Sequence, residues 1–87
     1  MDAALKALAE PRRRAILKLV WSQELPATAI AERFPDVSRP AVSQHLKVLL
    51  DAGLVSLTPK GTSNIYALQK EGFVQVLRWI DEMWAED

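Results

Sequence analysis

No cysteine occurs in the 87 residues, and histidine occurs once. The first absence removes disulfides, iron–sulfur clusters, thiolate zinc sites and cysteine nucleophiles together. The second leaves His45 without the three further ligands a zinc site requires. Nor can His45 serve a neighbouring hydroxyl as a base, because Ser43 is two residues away on one helical segment and the side chains point about 200° apart. Catalysis has no candidate constellation, and neither an enzyme activity nor a cofactor is expected. Long apolar runs are missing too. None approaches the roughly 18 residues of a membrane span, and the start MDAALKALAEPRRR lacks the basic-then-apolar order of a secretory signal. A soluble cytoplasmic protein without a membrane partner is the expectation. Internal repeats, low-complexity tracts and long linkers are also lacking, so residues 1–87 read as one domain.

What is present is ordinary globular material: 49 % hydrophobic and 25 % charged residues argue against disorder. A chain of this size buries only about 60 to 65 % of its unfolded surface, so its own core is marginal and a second subunit would help. Net charge is zero, but it is unevenly placed. Asp81, Glu82, Glu86 and Asp87 close the chain without a base, leaving residues 1–80 with eleven basic against seven acidic groups, a net of +4. The acidic end reads first as a solvated helix terminus.

DAALKALA is a short helix stopped by Pro11, with Leu5 and Leu8 on one face. Pro11 suits the first position of a second helix, PRRRAILKLVWSQ, striped by Ile16, Leu19 and Val20. ATAIAERF makes a short third helix between Pro26 and Pro35. SRPAVSQHLKVLLDAGLV is a fourth, with Ser38 as N-cap, Pro40 in the first turn, Gly53 as a left-handed C′ residue and Leu54 closing a Schellman motif. LVSLT and NIYAL are strands joined across PKGTS. From about Lys70 to Ala85 a last helix carries Phe73, Val76, Leu77, Ile80, Met83 and Trp84 at spacings of three and four. The order predicts a mainly α chain with a small β-hairpin: a winged helix-turn-helix of about five helices and a two-stranded wing.

Val42, Leu46 and Leu49 fall on one line of the fourth helix and must face the core, which leaves Ser38, Arg39, Ala41, Ser43, Gln44 and Lys47 outward near its start. That is the chemistry a DNA major groove asks for. Gln pairs with N6 and N7 of adenine, Arg with O6 and N7 of guanine, and Ser with either. Arg12, Arg13 and Arg14 in the first turn of the second helix oppose its macrodipole, and phosphate neutralisation supplies a reason for them. Pairing with Glu10 and other acids is the plainer alternative. Lys60 and Thr62 at the hairpin tip reach toward the backbone or the minor groove.

LAEPRRRAIL, LPATAIAERF and above all SRPAVSQHLKVLLDAGLV resemble the ArsR-type winged-helix repressors over nearly the whole chain. The pattern Ser-x-Pro-Ala-Val-Ser-x-His-Leu-x-x-Leu followed by Ala-Gly-Leu-Val is specific. The resemblance implies a homodimeric bacterial repressor whose paired recognition helices read a palindromic operator, with the first and last helices forming the dimer interface. Many such proteins sense metals through a Cys-x-Cys pair in the third helix, where this chain has Pro26 and Thr28; others use Asp and His in the last helix, which has no histidine here. The resemblance is therefore to the branch without metal ligands, and no metal site is expected. Glu10 stands where the family often has Asp, a better N-cap.

Double-stranded DNA is thus the expected partner, beside a second copy of the chain; no inducer is specified. Arg39, Ser43, Gln44 and His45 are assigned to the groove, Ser43 and Gln44 foremost as base readers and His45 at the edge of the core face. Arg13, Arg14, Ser38, Lys47, Lys60 and Thr62 are assigned to phosphates. The last helix has more apolar surface than so small a domain readily covers, so Leu5, Leu8, Phe73, Leu77, Ile80 and Trp84, on helices spanning 2–9 and 70–85, are assigned to the dimer. Two other readings share the outline: a winged-helix module that binds protein and not DNA, consistent with the zero net charge and weakly basic wing, and a metal-responsive repressor with an atypical site.

Overall fold

The computed structural model describes residues 1–86; Asp87, the last acid of the tail, lies outside them. Helices α1 (Asp2–Leu8) and α2 (Pro11–Val20) lead into a two-residue strand β1 (Leu25–Pro26), then α3 (Ala27–Glu32) and α4 (Arg39–Asp51). Strands β2 (Val55–Lys60) and β3 (Ser63–Leu68) form the wing, and α5 (Glu71–Ala85) completes the order.

Several elements differ from expectation. The hairpin of β2 and β3 is the expected two-stranded wing, and β1 is added to it: β1 pairs antiparallel with β3, Leu25 opposite Tyr66 and Pro26 opposite Ile65, giving the order β1-β3-β2. The hairpin strands also run further, closing at Lys60 opposite Ser63 across Gly61 and Thr62. Pro59 sits within β2, which is an edge strand where a missing N–H is tolerated. Helix α2 stops at Val20 and not at Gln23; the Gln23 Nε2 turns back to the Leu19 carbonyl (3.2 Å) and covers one of the exposed end carbonyls.

The core gathers Ile16, Leu17 and Val20 of α2, Ile30 of α3, Val42, Leu46 and Leu49 of α4, and Leu54 and Val55 leading into β2. Each such side chain contributes about 1.5 to 3 kcal/mol by leaving water. The buried residue of α2 beside Ile16 is Leu17, whereas Leu19 is half-buried. In α1 the small residues Ala4 and Ala7 face inward; Leu8 is half-buried against the core and Leu5 is 40 % exposed.

Both ends of α4 form as their residues dictate. The Ser38 Oγ accepts from the Ala41 amide (3.2 Å). At the other end Gly53 takes φ +73°, its amide donates to the Leu50 carbonyl (3.1 Å) and the Leu54 amide donates to Leu49 (3.0 Å), the paired bonds of a Schellman motif. Helix α5 is mounted on this terminus, with the Gly72 amide donating to the Gly53 carbonyl (2.9 Å). A Cβ on Gly72 would lie 2.6 Å from the Ala52 oxygen and 2.8 Å from the Leu54 Cδ2, so no larger residue fits there.

Beyond that joint α5 leaves the body. Phe73 and Val76 pack on the core, but Leu77, Trp79, Ile80, Met83 and Trp84 are exposed, Trp84 by 73 %. The molecule measures 49 × 26 × 19 Å with a radius of gyration of 14.0 Å, against roughly 12 Å for a compact domain of this length.

Candidate nucleic-acid interface

Helices α3 and α4 form the helix-turn-helix, and the turn between them is held at several points. Phe34 and Val37 are half-buried against the core, the Val37 amide donates to the Phe34 carbonyl (3.0 Å), and the Arg12 guanidinium reaches across from α2 to clasp both oxygens of Asp36 (2.8 and 3.3 Å). The same guanidinium lies 5.4 Å from the centre of the Phe34 ring. Its hydrogen bonds hold the Asp36 carboxyl below the usual carboxylate range.

With its cap and core line fixed, α4 turns Arg39, Ser43, Gln44 and Lys47 to solvent. Arg39, Ser43 and Gln44 have no side-chain partner among the described residues, so their donors and acceptors are free. Lys47 pairs with Asp51 one turn on (3.2 Å), and Lys60 at the wing pairs with Glu24 (3.0 Å). Both pairs are exposed and hold by about 0 to 1 kcal/mol, little enough for either lysine to change partner. Thr62 is exposed at the tip and lines a groove of about 220 Å³ with Ser63, Asn64 and Thr28 at the start of α3. The Ser38 hydroxyl accepts the cap bond but keeps its own proton to donate.

The arginine run also has partners within the chain. Arg14 Nη1 donates to the Leu8 carbonyl (2.7 Å), while Arg13 donates from Nε to Ala7 (2.8 Å) and from Nη2 to Lys6 (3.1 Å). These are carbonyls of the last turn of α1, where cations are favoured. Arg13 and Arg14 therefore oppose the dipole of α2 while closing α1. The plainer alternative holds for one residue of the run: Arg12 pairs with an acid, Asp36, whereas the Glu10 side chain accepts from the Arg13 amide (3.1 Å) and serves as a working N-cap. His45 is half-buried at the seam of α2 and α4, its Nδ1 3.4 Å from Arg13 Nη1.

Two cationic or polar contributions were not anticipated. Arg33 is exposed in the turn after α3 and forms no ion pair among the described residues. Thr28 meets the wing only because β1 draws the start of α3 against β3. Its sole sequence signal was a polar residue at a helix start. Among the described residues no three His, Cys, Asp or Glu side chains cluster closely enough to hold a metal, and no helix is long and apolar enough to cross a membrane.

A family model described as a helix-turn-helix domain matches residues 8–58, the span from the end of α1 into β2. The HTH-type transcriptional regulator Rv2034 of Mycobacterium tuberculosis is 43 % identical over 95 % of this chain and 77 % of its own length. The chain belongs to the ArsR-type winged helix-turn-helix family. Its relatives include the transcriptional repressor SdpR of Bacillus subtilis, 34 % identical over 92 % of this chain and 88 % of that protein. The solution structure of the homodimeric winged helix-turn-helix DNA-binding domain Mb0332 of Mycobacterium bovis superposes with a TM-score of 0.75 at 28 % identity, covering 98 % of this chain and 78 % of that one. ArsR-type proteins of this kind are DNA-binding transcriptional regulators and not enzymes, and the chain is one of them.

Proposed function

We propose that this regulator acts in the cytoplasm as a homodimeric repressor of a two-fold symmetric operator. The observation that carries the reading is the outward face of α4, where Arg39, Ser43 and Gln44 stand free beside a capped and firmly anchored helix start. Ser43 and Gln44 read bases in the major groove and Arg39 reaches a guanine edge. Ser38, Lys47, Arg14, Lys60 and Thr62 contact phosphates, the two lysines by releasing Asp51 and Glu24. Arg33 joins this set from the turn.

The dimer forms along α5 and α1. Leu77, Ile80 and Trp84 with Leu5 supply the exposed apolar surface, while Leu8 and Phe73, half-buried in the subunit, extend it toward the core. A two-fold axis there sets the recognition helices about 34 Å apart, one turn of DNA. The homodimeric domain of M. bovis supports this assembly. Titrating the purified protein against the DNA upstream of its own coding sequence, and against random duplex, at two salt concentrations tests the reading. Tighter binding to the upstream DNA, with affinity falling as salt rises, is expected. No binding to either duplex at low salt would overturn it.

A further inference from the structure

Arg13 makes contacts that its expected role as a phosphate ligand does not explain. Nε and Nη2 fix the guanidinium on the Ala7 and Lys6 carbonyls, and Nη1 then lies 3.4 Å from His45 Nδ1. A guanidinium only donates. Nδ1 is therefore the acceptor and carries no proton, which puts the ring proton of the neutral imidazole on Nε2. No buried side-chain nitrogen or oxygen is left unpaired among the described residues, so the Nε2–H of this half-buried ring opens to solvent. At 100° per residue His45 stands about 60° from Val42 on the core line and about 100° from Gln44, at the rim of the reading face.

We infer that His45 donates from Nε2 to a phosphate oxygen on the wall of the groove, in a tautomer selected by Arg13, which makes Arg13 a positioning residue. The inference rests on the DNA-binding reading above and moves His45 from base reader to backbone contact. A neutral donor displaces no counterion, so this contact adds affinity without adding to the salt dependence. An arginine on the phosphate would instead add about one unit of slope.

The chain has one histidine, so its imidazole nitrogens are unambiguous in a nitrogen–proton correlation spectrum. In the full chain at about pH 8, above the ordinary imidazole range, Nδ1 is expected to resonate as unprotonated and Nε2 as protonated. Arg13→Met should shift both toward the average of two exchanging tautomers. His45→Asn keeps an acceptor at the Nδ1 position and loses the Nε2 donor; it should weaken binding to upstream and random duplex alike by about tenfold or more, with an unchanged salt slope. Arg13→Met should also leave the slope unchanged, and His45→Asn added to it should cost little more. A proton on Nδ1 in the wild type, wild-type affinity in His45→Asn, or a slope reduced by about one in Arg13→Met would each overturn the inference. Should Arg13→Met fail to fold, the wild-type spectrum and His45→Asn decide. Loss of all DNA binding by the wild type overturns the regulator reading itself, whereas an unaffected His45→Asn overturns only this contact.

Discussion

Gln44 presents a side-chain amide with no partner of its own, on a helix that cannot easily rotate because Val42, Leu46 and Leu49 are buried beneath it. Gln44→Ala should therefore cost about 1 to 3 kcal/mol on the operator and relax preference at one base pair, measured by titration against a panel of single-base variants. Equal loss on random DNA would remove the base-reading role. Asp36 invites a test of pH. Its folded carboxyl titrates below the ordinary value of 3.8 because Arg12 clasps it, so its contribution to stability is fully present above 3.8 and is lost as pH falls from there through the lowered value. Asp36→Asn should melt earlier than the wild type at neutral pH, and the gap should close as melts are taken into that acid range. The effect should be small, since the carboxylate is 65 % exposed.

At the scale of elements, the fourth helix was the most legible part of the chain because local chemistry fixes both its ends: a Ser hydroxyl for a free amide, a Gly for a positive φ. Strand β1 was not legible, since two residues ending in proline carry no alternation and become a strand only by lying against Tyr66 and Ile65. The protein partners of Arg13 and Arg14 were not legible for a related reason. They lie six or seven residues back, and only the angle between α1 and α2 brings the Lys6, Ala7 and Leu8 carbonyls within reach. Nothing local marks Gly72, because what demands glycine there is a carbonyl from another element. Gly72→Ala should destabilise the fold by about 1 to 3 kcal/mol through overpacking at Ala52 and Leu54, read from the midpoint of urea unfolding. An unchanged midpoint would show that α5 is not seated as described.

For the whole molecule, the exposed stripe of α5 was read correctly as more apolar than one subunit can cover, yet its two ends differ. Phe73 is half-buried against its own chain, with Trp21 edge-on at 5.4 Å, while Leu77, Ile80 and Trp84 are exposed. Charging the middle of that stripe separates folding from assembly. Ile80→Asp should leave the helical signal in circular dichroism intact, halve the mass seen by sedimentation equilibrium, and weaken operator binding much more than binding of a half-site. A dimer that survived the change would exclude this face as the interface.

The seat of α5 on the end of α4 gives the proposed dimer the character of a pair of callipers. Each reading tip is joined to its handle at a small hinge, where Gly53 and Gly72 meet backbone to backbone and Phe73 and Val76 pack on the core. The bases recognised belong to Ser43 and Gln44, but the gap between the two half-sites is set at the hinge, some distance from any nucleotide. Two regulators with the same reading residues and different packing at this joint would accept the same half-sites at different separations.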